Sequence, residues 1–187
     1  MAKLRVFLSL NPDEGVISEL EKIQIRLKEM YLEHNIRWED PEKFHLTLRF
    51  LGDIDEADLA SLAETLKRLK FDFESIIFET DKVGFFPESK YPNVIFAGLK
   101  ETGNNSDILV GFIDRIIYNF GVKPDKRFIP HITLGRFNRS KRIKVTEPLD
   151  AAISRFTVEY DSFCLMQSKL TPAGSVYETI NKINFRK

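Results

Sequence analysis

His45-Leu46-Thr47-Leu48 and His131-Ile132-Thr133-Leu134 repeat one four-residue phrase in the two halves of the 187-residue chain and use two of its three histidines. In a β-strand, successive side chains point to opposite faces of the sheet. Each copy, interpreted as a strand, therefore places an imidazole and a hydroxyl on one face and two apolar side chains in the core behind it. Two such strands side by side would surround one cavity with two histidines and two threonines.

The predicted elements around the two copies follow the same order. In the first half we predict strand, helix, motif strand, helix and strand, over residues 3–10, 12–33, 44–51, 55–69 and 73–83. The second half repeats strand, helix (capped by Ser106) and motif strand over 93–99, 106–120 and 128–136, then adds a short helix from Thr146 and strands over 155–167 and 175–183. A duplicated chain with pseudo-two-fold symmetry explains this order and would bring His45 and His131 together near the symmetry axis.

Alternation along each strand predicts which side chains share a face with the motif residues. In the first copy it places Arg49 on the face of His45. In the second copy it places Arg136 on the core side, opposite to His131. A β-bulge or a strand end at Gly135 would return Arg136 to the histidine face, and the sequence alone leaves both arrangements open.

Two histidines and two threonines around one cavity are suited to acid–base chemistry on a phosphate. Histidine has an ordinary pKa near ~6.5, so a neutral ring can act as general base and a protonated ring as general acid. Threonine hydroxyls can donate hydrogen bonds to phosphate oxygens, and an arginine can stabilise developing negative charge. This layout requires no metal and no cofactor. Zinc bound by the two histidines is the alternative, and it needs a third ligand from elsewhere.

Charge and composition narrow the possible partners. The net charge is zero, with 28 basic and 28 acidic residues, so the chain as a whole gives no support to general polyanion binding. Residues 121–145 nevertheless carry eight basic residues against one acidic residue, which favours an anionic substrate near the second copy. The lone Cys164 excludes an intrachain disulfide and no apolar stretch has membrane-spanning length, so we expect a cytoplasmic protein without a membrane partner.

The two phrases and their surroundings resemble the 2H phosphoesterase superfamily. The similarity is greatest to its RNA 2′,3′-cyclic phosphodiesterase branch, also called the 2′-5′ RNA ligase family. The second copy is similar to that branch over Pro130–Arg136, including the arginine. The resemblance extends over nearly the whole chain, at Phe44, Phe50–Gly52, Gly84–Pro87, Leu165–Ser168 and Gly174–Tyr177.

The resemblance implies an α+β fold of two pseudo-two-fold related lobes, formed by residues 1–187 as one domain. Each lobe is an antiparallel β-sheet flanked by helices, with the active-site cleft between the lobes. The implied activity is metal-independent hydrolysis of an RNA 2′,3′-cyclic phosphate to a 2′-phosphate, with reverse 2′-5′ ligation as a side activity. The residues that match the family's site are His45 as proton donor, His131 as proton acceptor, and Thr47, Thr133 and Arg136 as phosphate-binding groups. Chemistry alone does not decide which histidine is the acid.

Several alternatives remain open from the sequence. The substrate could instead be a small cyclic nucleotide, an ADP-ribose cyclic phosphate or a 2′-5′ linked oligonucleotide. An RNA substrate, such as a tRNA-derived end, would favour aromatic side chains that stack on a base, and the candidates are Phe44, Tyr91 and Phe128. Packing in the core is the other interpretation of all three rings. From another class, a module that binds a terminal phosphate without turnover has no need of an acid–base pair. We expect a monomer.

Overall fold

Most of the described residues lie in strands and helices. The computed structural model describes residues 3–87, 91–124, 127–138, 155–172 and 174–185. The strands in these ranges are β1 (Lys3–Leu10), β2 (Ile36–Trp38), β3 (Leu46–Asp55), β4 (Ile76–Phe86), β5 (Val94–Glu101), β6 (His131–Phe137), β7 (Thr157–Tyr160), β8 (Ser162–Thr171) and β9 (Gly174–Asn184). The α-helices are α1 (Glu14–Met30), α2 (Glu56–Lys67) and α3 (Asn105–Tyr118).

The strands form one antiparallel sheet with the two motif strands at its centre. The order is β7-β4-β5-β6-β3-β1-β8-β9, and β2 pairs with β6. The two halves of the sheet meet where β3 and β6 pair at one position, Leu46 opposite Ile132. Each half is built on a strand–helix–motif strand unit, β1-α1-β3 in one and β5-α3-β6 in the other. The predicted α+β class is confirmed, and the two predicted lobes are the two halves of this sheet.

The helices form where apolar residues recur at helical spacing. Helix α1 begins after Asp13, whose carboxylate accepts a hydrogen bond from the backbone N–H of Val16 at 2.8 Å. It ends at Met30, short of the predicted end near residue 33. The buried apolar residues are Val16, Leu20, Ile23 and Leu27 in α1, Leu59, Leu62, Ala63 and Leu66 in α2, and Leu109, Val110, Ile113 and Ile117 in α3. They pack with the buried side chains of the sheet in one apolar core.

Helices α1 and α3 each contact the motif strand of the other half. From α1, the buried side chain of Gln24 donates through Nε2 to the backbone oxygen of Leu134 in β6, at 2.9 Å. From α3, the carboxylate of Asp114 accepts two hydrogen bonds from Arg49 in β3, at 2.7 and 2.9 Å. These contacts connect the two halves where β3 and β6 themselves share a single paired position.

The leucine that closes each motif phrase is the extra residue of a β-bulge. Leu48 lies between two consecutive paired positions of β3, and Leu134 lies between two of β6. The pairs that enclose them are Ser9↔Thr47 and Leu8↔Arg49 in one half, and Phe96↔Thr133 and Ile95↔Gly135 in the other. An extra residue shifts the alternation of side chains by one position, so the residues that directly follow the bulge change face.

The first motif strand begins later than the sequence predicts. Pro41–Lys43 forms a 3₁₀ turn after Asp40, so residues 44 and 45 precede the strand and β3 starts at Leu46. The strand then continues to Asp55, beyond the predicted end at residue 51. His45 therefore lies at the entrance to its strand, whereas His131 is the first residue of β6.

Other boundaries also differ from the prediction. Ser106 does not cap α3; it lies in the first turn, where its N–H and hydroxyl both donate to the carboxylate of Glu101. The strand predicted over 155–167 is divided into β7 and β8. The helix predicted from Thr146 lies outside the described residues.

Gly135 permits a close approach of three strands beside the second bulge. A Cβ atom at this position would lie 2.8 Å from Cγ2 of Ile36 and 3.2 Å from Cγ2 of Ile95. We therefore expect Gly135→Ala to lower the free energy of unfolding by about 1–3 kcal/mol through overpacking, measured by urea denaturation.

The matched control is Gly111→Ala on the exposed side of α3, where a Cβ would meet no atom within 4 Å. This variant should raise the free energy of unfolding by about 0.5–1 kcal/mol, because alanine is the better helix former. A Gly135→Ala protein as stable as the wild type would contradict the packing described for the bulge.

Candidate active site

The pairing of the two motif strands brings the four motif side chains together. Because β3 and β6 are antiparallel and Leu46 lies opposite Ile132, residue 45 lies next to residue 133 and residue 47 next to residue 131. Each histidine is therefore beside the threonine of the other copy. Leu46 and Ile132 are fully buried, and the four polar side chains are on the other face, where they are partly accessible. The structure thus brings together the four side chains that the sequence predicts to share one site.

The two histidines make the same backbone hydrogen bond. Nδ1 of His45 lies 2.7 Å from the backbone oxygen of Lys43, and Nδ1 of His131 lies 2.7 Å from that of Ile129. A carbonyl oxygen can only accept, so Nδ1 carries the proton in both rings. Nε2 is consequently the acceptor of each neutral imidazole and the second donor of each imidazolium.

Each imidazole contacts two aromatic rings, at centroid distances between 4.9 and 5.3 Å. These rings are Phe7 and Tyr177 at His45, and Phe86 and Phe96 at His131. Together with the Nδ1 hydrogen bonds, they fix the orientation of both imidazoles.

The surroundings favour the neutral form of both histidines. Burial lowers the pKa of His45 and of His131 below the ordinary value of 6.5, and the backbone hydrogen bonds oppose this effect in part. The positive charge of Arg136 lowers the pKa of both rings further, and His131 lowers that of His45. A bound anion would have the opposite effect on both rings.

The bulge at Leu134 turns Arg136 onto the histidine face. The sequence left open whether Arg136 faces the core or the histidines, and the structure places it on the side of the histidines. The bulge is at Leu134, one residue before the predicted position at Gly135. The guanidinium of Arg136 lies 3.9 Å from the carboxylate of Glu39. Gln24 holds this region in place, because its Nε2 donates to the backbone oxygens of both Leu134 and Glu39, at 2.9 and 2.7 Å.

The bulge at Leu48 gives the opposite result for Arg49. The prediction that Arg49 shares the face of His45 is wrong, because the extra residue sends its side chain to α3, where it binds Asp114. Phe50 moves to the histidine face instead. It is 71% exposed and its ring centroid lies 6.0 Å from that of Phe7. Sequence reasoning missed Phe50, which has the position in the first copy that Arg136 has in the second.

Two of the aromatic residues predicted to stack on a base, Phe44 and Phe128, lie away from the motif face. Phe44 is 3% exposed and belongs to the core, because the 3₁₀ turn before it directs its side chain inward. The prediction for Phe44 is therefore wrong. Phe128 is half-buried against the core and lines a groove beside α3 together with Ser106 and Asp107.

Tyr177 in β9 is a second residue of the cleft that sequence reasoning did not single out for the site. Its ring contacts His45 and Phe7, each at 5.2 Å. Burial raises the pKa of the Tyr177 hydroxyl, and the nearby carboxylate of Glu39 raises it further, whereas Arg136 lowers it. Tyr177 therefore lies near His45 of the first half of the sheet and also near the charges of Glu39 and Arg136.

The described ranges offer few groups for thiol or metal chemistry. Cys164 is buried with Phe7 and Met166, and burial raises the pKa of its thiol, as is typical of a structural cysteine. In the same ranges no three His, Cys, Asp or Glu side chains gather so that they could hold a metal ion. Of the basic segment 121–145, residues 125–126 and 139–145 lie outside the described ranges.

A family model described as LigT like phosphoesterase matches residues 10–96 and 101–177, which contain both motifs. The chain belongs to the LigT-like phosphoesterase family. The predicted membership of the 2H phosphoesterases, and with it the prediction of an enzyme, is confirmed. None of the helices in the described part of this phosphoesterase has the length and apolar character needed to span a membrane.

Relatives of this LigT-like phosphoesterase match it from end to end. It is 32% identical over 179 residues to the RNA 2′,3′-cyclic phosphodiesterase of Archaeoglobus fulgidus, covering 95% of this chain and 98% of that protein. It is 28% identical over 179 residues to the protein of the same name from Methanothermobacter thermautotrophicus, covering 94% of this chain and 95% of that protein.

Solved structures share the fold. The crystal structure of TT0787 of Thermus thermophilus matches with a TM-score of 0.76 at 26% identity, over 98% of both chains. The crystal structure of Escherichia coli LigT complexed with 3′-AMP matches with a TM-score of 0.79 over 99% of both chains. At 19% identity, the second match is evidence for the fold alone.

The charge of Arg136 should be visible in the titration of both histidines of this LigT-like phosphoesterase. We expect NMR titration of the imidazole C–H signals to give pKa values below 6.5 for His45 and His131 in the ligand-free protein. Arg136→Gln should raise both values, because it removes a cation that disfavours the imidazolium forms. Arg26→Gln, an exposed arginine of α1, is the control and should leave both unchanged. A fall of either pKa in Arg136→Gln would contradict this description.

Proposed function

We propose that this LigT-like phosphoesterase hydrolyses the 2′,3′-cyclic phosphate of an RNA end to a 2′-phosphate by a two-histidine acid–base mechanism. The observation that carries the proposal is the matched pair of Nδ1 hydrogen bonds, which leaves Nε2 of His45 and of His131 for the reaction. The activity named for the relatives, RNA 2′,3′-cyclic phosphodiesterase, supports the same substrate.

The proposed reaction uses one proton transfer at each ring. His131 accepts a proton from water at Nε2 while the water oxygen forms its bond to phosphorus and the bond between phosphorus and the 3′ oxygen breaks. His45 donates its Nε2 proton to that leaving oxygen, so the products are a 2′-phosphate and a 3′-hydroxyl. This assignment follows the family pattern, and each transfer contributes roughly 10²–10⁴-fold to the rate.

Three further side chains are proposed to bind the phosphate. Within the described part of the chain, the hydroxyls of Thr47 and Thr133 have no hydrogen-bond partner, so both are available to the non-bridging oxygens. Arg136 adds charge-assisted hydrogen bonds as negative charge develops on these oxygens. The negative phosphate also favours the protonated form of His45, which the proton donor needs before the leaving oxygen departs.

Every group in this mechanism comes from one chain. We therefore propose that residues 1–187 form a single domain that acts as a monomer, without a metal or cofactor. The substrates would be cytoplasmic RNA ends, including those derived from tRNA. By microscopic reversibility the same groups would join a cyclic phosphate to a 5′-hydroxyl in a 2′-5′ bond, although hydrolysis dominates in water.

The alternative substrates differ in the chemical groups attached to the phosphate. A small cyclic nucleotide, an ADP-ribose cyclic phosphate or a 2′-5′ linked oligonucleotide would use the same two histidines. The exposed ring of Phe50 beside the site is a surface on which a base can stack, which supports a nucleotide end. A phosphate-binding module without turnover, the alternative from another class, is disfavoured because the chain belongs to a phosphoesterase family.

A short RNA that ends in a 2′,3′-cyclic phosphate, incubated with the protein in excess EDTA, tests the proposal. We expect conversion to a 2′-phosphate, and a loss of about 10²–10⁴-fold in kcat in His45→Ala and in His131→Ala. His34→Ala is the matched control, because the ring of His34 contacts Tyr31 and Phe137 rather than the motif residues. It should keep kcat within about twofold of the wild type.

The other outcomes separate the alternatives. Tight binding of the RNA without conversion would favour the phosphate-binding module. Conversion that stops in EDTA and returns with zinc would contradict metal independence. Turnover of a small cyclic nucleotide or an ADP-ribose cyclic phosphate, without turnover of the RNA, would move the assignment to that substrate.

A further inference from the structure

A polar cleft continues from Arg136 beyond the phosphate site. It has a volume of about 440 Å³ and lies where β2 pairs with the end of β6. Its lining residues are Asn35, Arg37, Asn93, Arg136, Phe137 and Asn138. The proposed mechanism uses Arg136 and leaves the rest of the cleft without a role.

Two arginines lie side by side in this cleft. Arg37 of β2 is the direct cross-strand partner of Arg136 of β6, so their side chains leave the sheet on the same face. Like charges in this position repel each other unless an anion lies between them. Glu39 reaches only Arg136, at 3.9 Å, and Arg37 has no acidic partner within 4 Å in the described part of the chain. The cleft therefore carries an excess of positive charge.

The backbone fixes the walls of the cleft. The N–H of Asn138 donates to the backbone oxygen of Asn35 at 3.2 Å, and the N–H of Phe137 donates to that of Asn93 at 3.0 Å. The side-chain amides of Asn35 and Asn93 form no hydrogen bond with any group in the described ranges. Two cationic groups and two amides are thus available on a rigid frame, and both kinds of group donate to phosphate oxygens.

The cleft is continuous with the catalytic face. Arg136 lies at the edge of both. It is five residues after His131, and one of these, Leu134, is the extra residue of the bulge, so the distance along β6 is about four residues of strand, or roughly 13 Å. A dinucleotide can span this distance. Arg37 and Arg136 also both lower the pKa of Tyr177, which burial raises, and the Tyr177 ring contacts His45. Both guanidiniums therefore face the same cleft as the histidines.

We propose that Arg37, with Asn35 and Asn93, binds the phosphate that joins the terminal nucleotide to the preceding one. This inference rests on the proposed function and specifies its substrate class as an oligoribonucleotide. A mononucleoside 2′,3′-cyclic phosphate has no phosphate for this subsite. The subsite contributes binding to the longer substrate and leaves the chemistry at the cyclic phosphate unchanged.

The test compares Arg37→Gln with the wild type on two substrates, a trinucleotide ending in a 2′,3′-cyclic phosphate and a mononucleoside 2′,3′-cyclic phosphate. We expect KM for the trinucleotide to rise about tenfold with kcat within about twofold, since a charge-assisted contact is lost. The mononucleotide should keep its kcat/KM. The slope of log KM against log salt concentration for the trinucleotide should decrease by about 0.7, the value for one phosphate contact to a single strand.

Two variants serve as controls. Arg26→Gln removes an exposed arginine from α1 and should change neither substrate. Arg37→Lys keeps the charge and should keep the salt dependence of the wild type. An equal loss on both substrates in Arg37→Gln, or no loss on the trinucleotide, would overturn the subsite.

A failure of the proposed function is distinguishable from a failure of the subsite. If the wild type hydrolyses neither substrate, the proposed function fails, and RNA binding then tests whether the subsite exists. The measurement is then the Kd of a trinucleotide with a terminal 2′-phosphate, which should rise about tenfold in Arg37→Gln. A Kd that does not change would overturn the subsite independently of turnover.

Discussion

The pairing of Leu46 with Ile132 is the contact on which the rest of the site depends. It is the one position at which β3 and β6 pair, and it places each histidine beside the threonine of the other copy. One paired position is a weak connection by itself. The crossed helices reinforce it, because α1 binds β6 through Gln24 and α3 binds β3 through the ion pair of Asp114 with Arg49. Since that ion pair is bidentate, its hydrogen bonds offset much of the cost of removing both charges from water.

The same bulge at the last residue of each phrase brings different side chains to the cleft from the two halves. Beyond Leu134 it brings Arg136 to the cleft, and beyond Leu48 it brings Phe50. One side of the histidine pair is therefore cationic and the other is aromatic. This asymmetry matches the nucleotide end of the proposed function, which has a phosphate on one side and a base on the other. The pseudo-symmetry also explains why both imidazoles make the same Nδ1 hydrogen bond.

Local patterns in the sequence were sufficient for most elements and for the central site. Helical spacing identified α2 and α3, and strand alternation correctly placed His131 with Thr133, because both depend on neighbours in the chain. The faces of Arg49 and Arg136 depend on bulges, which arise from the register with β1 and β5 and leave no local pattern. Phe44 was misassigned for a similar reason, since the turn before it sets its direction. The sequence also did not predict the pairing of β2 with β6, which creates the second cleft. A strand of three residues is too short to show an alternating pattern.

The central claim is that His45 and His131 act together in one step on the same phosphate. Measuring kcat for His45→Ala, His131→Ala and the double variant on one cyclic-phosphate RNA tests it most directly. If the two rings act as a unit, the double variant should be close to the slower single variant, because removing either group already removes the concerted step. Losses that multiply in the double variant would mean that the two histidines contribute independently, which would contradict the account.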